Sequence, residues 1–237
     1  MQLFYLANLD SNTFVFSEEE SKHCVRVLRK KIGDQLILID GKGTEAIAII
    51  DSDNPKKCSG TILSKKTHTP NRNYHLHLAI APTKSFDRME WMLEKAIEIG
   101  VDEISFIETS NSERAKINLA RCEKIAIAAI KQSKQYYLPQ LNELVSFENF
   151  MKANHENASK YIAWCEEEST QHLFKQIPCP PAAKSLLLIG PEGDFTQREI
   201  ELALKKGYQT CSLGNSILRA ETAAIFGISL FAAKAQE

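Results

Sequence analysis

The stretch Leu186-Leu187-Leu188-Ile189-Gly190-Pro191-Glu192-Gly193-Asp194-Phe195-Thr196 holds the change of conformation on which the reading of this chain turns. Four consecutive apolar residues predict a strand buried on both faces, the habit of parallel sheets. Gly190 and Gly193 then permit close backbone approach or positive φ, and Thr196-Gln197-Arg198-Glu199 has the form of a capping box that starts a helix. The result is a tight strand-to-helix loop with free backbone amides. Open α/β sheets bind ligands at such loops, at the carboxyl ends of their strands; a plain turn without a ligand satisfies the same residues. The loop is not a phosphate-binding P-loop, because no Lys-Ser/Thr follows a second glycine and the only G-x-G, at Gly41 and Gly43, lies in a hairpin.

A second segment, Ser212-Leu213-Gly214-Asn215-Ser216-Ile217-Leu218-Arg219-Ala220-Glu221-Thr222, repeats the arrangement. A strand ends at a glycine, two apolar residues follow, and a helix begins beside Arg219 and Glu221. Helix capping explains it, with Glu221 favoured by the helix dipole and Arg219 on the surface. An apolar slot for a planar ring, with an arginine turned to a polar substrate, explains it equally.

Outward from these loops, strands alternate with helices. Strands are expected at 74–81, 103–109, 161–165, 185–190 and 208–213, and helices after Ser85 or Asp87 up to Gly100, over 118–136, 197–206 and 220–233. Parallel neighbours need crossovers, so the alternation predicts an α/β domain with a largely parallel sheet over 74–237. Residues 1–70 read differently. Ser17-Glu18-Glu19-Glu20 has the capping-box form and starts a short helix running towards Gly33; strands follow at 35–40, 44–50 and 58–64, the first two joined by Gly41-Lys42-Gly43. The polar, proline-broken run 65–73 reads as the linker between two domains.

The chain has 237 residues, 43% apolar and 25% charged, with 29 Lys+Arg against 30 Asp+Glu. That composition is globular, and the near-zero charge argues against indiscriminate polyanion binding. The longest uncharged apolar stretch, residues 222–233, is short of the roughly 18–20 residues of a membrane span, and the amino terminus lacks signal-peptide features, so a cytoplasmic protein with no membrane partner is expected. Six scattered cysteines without a C-x-x-C pair, and His75 and His77 without a third ligand, predict no metal site. One local charge feature stands out. Lys22, Arg26, Arg29, Lys30 and Lys31 fall within ten residues containing no acid, which suits either a solvated helix face or contact with phosphates. Trp91, Trp164 and Phe195 are expected in the core, Phe195 being the one whose place beside the glycine loop also suits stacking on a base.

Taken together in order, five motifs resemble the ribosomal RNA small subunit methyltransferase E family of knotted, SPOUT-class RNA methyltransferases. They are His23 through Asp34, similar to an H-x-x-x-V-L-R-x-x-x-G-D signature; Lys84 through Val101, with Glu94-Lys95-Ala96-Ile97-Glu98-Ile99-Gly100; Ser112-Glu113-Arg114 with Lys131-Gln132-Ser133; the G-P-E-G-D-F loop; and S-L-G-x-x-I-L-R-x-E-T-A. The likeness covers essentially the whole chain. It departs from the commonest pattern at Asn215-Ser216, where Pro-Arg is frequent, and at Ala220, where Thr is usual.

The resemblance implies a PUA-like β-barrel domain at 1–70 and a SPOUT α/β trefoil-knot domain with a mostly parallel sheet at 74–237. It implies S-adenosyl-L-methionine as cofactor, held by Leu188, Ile189, Gly190, Pro191, Glu192 and Gly193, by Leu213, Gly214, Asn215, Ile217 and Leu218, and by Cys165 after the strand at 161–165. The implied reaction is methylation of uridine N3 in 16S rRNA of the small ribosomal subunit, the m3U1498-type modification, by a homodimer. Arg219 is the expected uracil-orienting cation, and Glu221 or Glu192 the contact to substrate or cofactor and a candidate proton acceptor. Arg26, Arg29, Lys30, Lys31, Lys84, Arg114 and Gln132 are the expected RNA contacts, with Lys65, Lys66 and Arg72 as further cations. A catalytically inactive RNA-binding or ribosome-assembly factor, or a methyltransferase for another RNA site, are the alternatives on the same fold.

Overall fold

The computed structural model describes residues 2–70, 72–113, 116–153, 155, 157–164 and 170–237. It contains two compact units, Met1–Asn71 with Ile127–Leu138, and Arg72–Ala126 with Pro139–Glu237.

The first unit is built on a curled five-stranded sheet in the order β1-β3-β4-β5-β2. Its strands are β1 (Leu3–Tyr5), β2 (Thr13–Val15), β3 (Gln35–Ile39), β4 (Thr44–Ser52) and β5 (Ser59–Thr67). Phe4, Phe14, Phe16, Leu38, Ala48 and Ile50 fill its core. Gly41 and Gly43, at φ 71° and 98°, make the turn between β3 and β4 that the sequence predicts. Strand β5 runs on through Lys65-Lys66-Thr67, which pair with Ala46, Glu45 and Thr44, so these three residues extend the sheet instead of opening a linker. Tyr137, at the other end of the unit's sequence, donates its hydroxyl to the His68 carbonyl at 2.6 Å.

The helix after Ser17 is shorter than its pattern suggests. Helix α1 (Glu18–Lys22) passes into a π-helical turn over His23–Val27. The turn closes when Arg29 takes a left-handed conformation (φ 56°) and the Lys30 amide donates to the Cys24 carbonyl at 3.1 Å. Arg29, and not Gly33, is therefore the stop, and Arg29, Lys30 and Lys31 lie on a turn beyond the helix. Only half of the expected capping box forms. Ser17 accepts from the Glu20 amide, while the Glu20 carboxylate pairs with Lys131 at 2.6 Å.

The second unit is a six-stranded, wholly parallel sheet in the order β11-β9-β10-β6-β7-β8. The strands are β6 (His75–Ile80), β7 (Glu103–Glu108), β8 (Gln140–Ser146), β9 (Ser159–Ala163), β10 (Lys184–Ile189) and β11 (Gln209–Cys211). The helices are α2 (Phe86–Ile99), α3 (Leu119–Ser133), α4 (Phe147–Lys152), α5 (Leu173–Gln176), α6 (Gln197–Lys205) and α7 (Ala220–Lys234). The carboxyl half of α3, from Ile127, belongs to the first unit, and the helix stops at Ser133 because Lys134 turns left-handed (φ 56°). Helix α2 ends at Gly100, which holds φ 120° as a helix stop should.

Leu186 and Leu188 of β10 pack with Ile162, Phe147, Phe195 and Ile200 on one side of this sheet. Helix α7 lies against it so closely that a Cβ on Gly227 would press on the Leu187 side chain at 2.5 Å. Buried Phe195 is a core residue, tilted against Phe147 with ring centroids 5.7 Å apart, which settles its stacking role in favour of packing. Trp91, by contrast, is half-exposed. The chain around β11 is enclosed: the Trp164 amide bonds the Cys211 carbonyl, while Ser212 exchanges bonds with Gln171 and Leu173. The carboxyl-terminal segment is thus bonded to both described ends of the excursion between β9 and β10, an arrangement in keeping with a trefoil-knot domain, a rare exception to the rule that chains do not thread.

Candidate active site

The glycine loop begins where β10 ends. The Asp194 amide donates to the Pro191 carbonyl at 3.0 Å, closing a turn over Pro191-Glu192-Gly193, with Asp194 left-handed at φ 57°. The predicted capping box forms in full: Thr196 Oγ1 accepts from the Glu199 amide, and Glu199 Oε2 accepts from the Thr196 amide at 2.8 Å.

Glu199 reaches further than a cap. Its Oε1 also accepts from the Ser110 amide at 2.8 Å and the Ser110 hydroxyl at 3.2 Å. One buried carboxylate thereby ties the loop after β10 to the loop after β7. Asn111 adds two bonds from Nδ2, to the Gly193 and Asp194 carbonyls at 2.9 and 3.0 Å. A Cβ on Gly193 would stand 3.1 Å from the Asn111 Cβ, so the glycine allows this approach. The loop after β6 joins in turn, since exposed Glu192 accepts from the Lys84 amide at 3.2 Å and Lys84 Nζ lies 2.8 Å from Glu113. That carboxylate holds the Lys84 ammonium above its ordinary pKa. Three strand ends are thus bonded to one another around Glu192 and Gly193.

The second loop is more open. Ser212 Oγ accepts from the Gly214 amide at 3.1 Å, and Gly214 holds φ 118° with open space where a Cβ would project. Asn215 and Ser216 are exposed, Leu218 is half-buried, and Ile217 is 91% exposed. Arg219 occupies the cap position of α7, exposed and without an ion pair among the described residues. Glu221 is buried, with its nearest cation Arg88 of α2 at 3.9 Å and not Arg219. Both loops follow strands of one neighbourhood, β10 and β11, which flank β9. Leu188 and Ile189 are buried within β10, Gly190 and Pro191 are covered, and Leu213 is half-buried. Cys165 after β9 and Arg114 lie outside the described residues.

The remaining predicted residues lie elsewhere. Arg26, Arg29 and Lys31 are exposed in the first unit, Lys30 is partly covered, and Val27 and Ile32 beside them are 67% and 63% exposed. Gln132 is exposed on α3. The sequence marks Glu199 only as a cap, and no local pattern marks Ser110 or Asn111. Their signal is a contact across some ninety residues, which no local pattern carries. Among the described residues no group of three His, Cys, Asp or Glu side chains could hold a metal, and no helix is long and apolar enough to cross a membrane.

The parallel sheet with loops gathered at its strand ends and the curled sheet bearing cations are the two parts of an RNA methyltransferase, each matched by a family of that class. The RNA methyltransferase domain family matches residues 70–232, and the RNA methyltransferase PUA domain family matches residues 16–63. The chain belongs to the ribosomal RNA small subunit methyltransferase E family. The Rickettsia conorii enzyme of that name is 30% identical over 93% of this chain and 89% of its own length. Among solved structures, a "probable rRNA-methyltransferase" from Porphyromonas gingivalis is 37% identical with a TM-score of 0.89, covering 97% of this chain and 96% of that one. A ribosomal RNA small subunit methyltransferase E from Neisseria gonorrhoeae, solved bound to S-adenosyl methionine, is 27% identical with a TM-score of 0.84, covering 97% of this chain and 95% of that one. The loops here fit such a ligand. They present side-chain-free backbone at Gly190, Gly193 and Gly214, an apolar pair at Ile217 and Leu218, and no dense charge, as adenine and a sulfonium need shape and edge hydrogen bonds more than countercharge.

Proposed function

We propose that the protein methylates N3 of a uridine in 16S rRNA of the small ribosomal subunit, the m3U1498-type modification, using S-adenosyl-L-methionine. The observation that carries the reading is that the Gly190–Gly193 loop and the Gly214–Leu218 loop follow β10 and β11, the two strands that flank β9, with exposed Arg219 next in sequence. In this reading Leu188 to Gly193, Leu213 to Leu218 and Cys165 bind the cofactor, which supplies an electrophilic methyl carbon when bound.

The uracil N3 must lose its proton before its lone pair can take the methyl group. Positioning and a nearby cation lower that barrier. Arg219 is the cation, orienting the base and stabilising charge as it develops on the ring. Glu192, exposed and anchored through the Lys84 amide, is the better-placed proton acceptor. Glu221, buried near Arg88, holds the start of α7 and with it Arg219. Arg26, Arg29, Lys30 and Lys31, with Lys84, Arg114 and Gln132, contact the RNA. Exposed Ile217 and part-exposed Phe226 on α7 support a homodimer that covers them.

The test is methyl transfer from labelled S-adenosylmethionine to assembled small subunits, followed by mapping of the modified nucleotide. N3-methyluridine is the expected product. Arg219→Ala should lower turnover by about 10²–10³-fold while calorimetric cofactor affinity stays near that of the parent. A modified nucleotide elsewhere would redirect the substrate, and absence of cofactor binding by the pure protein would favour an inactive RNA-binding factor.

A further inference from the structure

A cavity of about 370 Å³ opens in the second unit, lined by Met151, Lys152, His155, Lys160, Lys205, Lys206 and Tyr208 among others. It lies at the amino ends of the strands, between the end of α4, the start of β9 and the end of α6. Helix α6 starts at the glycine loop and runs back across the sheet for nine residues, about 13 Å, before reaching it. The cavity is therefore distinct from the site that the glycine loops form.

Four lysines around one cavity repel one another and together outweigh the roughly half negative charge at the carboxyl end of α6. Lys160 deals with that end directly: its ammonium bonds the Lys206 carbonyl and lies over the Tyr208 ring, 5.4 Å from the centroid. Lys205 and Lys206 are exposed at the mouth, as is Lys152, whose ammonium also reaches Asn149 at 3.2 Å. Two further lining residues hold polar atoms without partners. Tyr208 is only 4% exposed, and neither its hydroxyl nor Nε2 of His155 has a hydrogen-bond partner among the described residues.

We propose that this cavity binds a phosphate group, supplied by the backbone of the RNA substrate, with Lys152, Lys205 and Lys206 meeting its charge. The inference rests on the RNA-methylating reading given above. It adds a second RNA contact on the methyltransferase unit itself, one helix length from the cofactor loops. A chain of net charge −1 has no general attraction for RNA, so discrete basic pockets must supply its grip.

The test uses the full chain, labelled for amide NMR, titrated separately with inorganic phosphate, with uridine monophosphate and with a short oligoribonucleotide. Shifts at residues 151–153 and 205–208 with the oligoribonucleotide are expected. In the variant Lys152→Glu/Lys205→Glu, RNA affinity at low salt should fall about ten-fold, and the slope of log affinity against log salt should shrink by about 1.4, two single-strand phosphate contacts' worth. Cofactor affinity, read by calorimetry, should stay that of the parent. The milder Lys205→Ala should show about half the change in slope should the double variant fold poorly. Pocket shifts with inorganic phosphate or uridine monophosphate alone would support a phosphate site filled by a small phosphorylated ligand and overturn the RNA assignment. No shifts in any titration, with an unchanged salt slope, would overturn the site altogether, and retained methyl transfer would show that the enzymatic reading survives it.

Discussion

Glu199 shows how much of this site rests on one side chain. It accepts from Thr196 on its own loop and from Ser110 across the sheet, so removing it leaves several part-buried donors unpaired. Glu199→Ala should cost about 2–4 kcal/mol in urea unfolding and weaken cofactor binding measured by calorimetry. Glu199→Gln, which keeps one acceptor oxygen, should lose less. His77 is a second informative residue. Burial, aided by His155 and His75, pushes its pKa down from 6.5 to about 3. Below pH 6.5 the unfolded chain therefore takes up a proton that the native chain refuses. Stability should fall as pH drops from 6.5 towards 3, by up to about 1.4 kcal/mol per pH unit, and be insensitive to this residue above that window. Urea unfolding across that range, with His77→Gln losing about one proton's share of the slope, checks it. Thr196 and Glu199 were legible as a cap because a capping box is a local pattern. Ser110 was not, because the bond that matters joins residues far apart in sequence.

At the scale of elements, the sequence read best where periodicity is strong and long. The run from Leu186 to Ile189 and the apolar face of α2, with Met89, Met92, Leu93, Ala96 and Ile97 buried, appear as expected. Three-residue β1 and β2 are too short to show alternation. Strand β8, QLNELVS, sits at the sheet edge with a largely polar sequence and gives no apolar run to find. The π-helical turn at His23–Val27 hid for another reason: its stop is an arginine in the left-handed conformation, where local rules look for glycine. Gly60 marks a different element-level constraint. It faces Phe14 of β2 on one side and pairs with Ile50 of β4 on the other, at an irregularity in the β4–β5 ladder. A Cβ there would overlap the Ile49 carbonyl and come within 2.6 Å of the Phe14 ring. Gly60→Ala should destabilise the first unit by about 1–3 kcal/mol, seen as faster hydrogen exchange of the β4 and β5 amides.

For the molecule as a whole, charge is the deciding quantity. Residues 1–70 hold ten basic and nine acidic groups, so even the segment expected to grip RNA is nearly balanced, and its excess is confined to residues 22–31. The exposed pair Val27 and Ile32 interrupts that basic run with apolar surface suited to a base or sugar. Binding should accordingly depend only modestly on salt. Arg26→Ala/Arg29→Ala should lower RNA affinity several-fold and flatten the salt slope by about 1.4 without changing cofactor affinity, as read by filter binding and calorimetry. The class of fold and the order of the site loops were readable from sequence, because strand, glycine and cap recur twice. The basic cavity was not, since its lysines come from three elements and resemble ordinary surface lysines until folding collects them.

The enclosure of β11 between Trp164 on one side and Gln171 and Leu173 on the other carries a consequence for how the enzyme comes into being. The stretch between β9 and β10 is synthesised first, and the segment bonded to it, which follows later in the chain, also brings Gly214, Ile217 and Arg219. A chain interrupted before β11 has five of the sheet's six strands and a finished glycine loop but lacks the second candidate loop. On the proposed assignment, such a truncated chain should bind S-adenosylmethionine more weakly than the parent in calorimetry and transfer no methyl group.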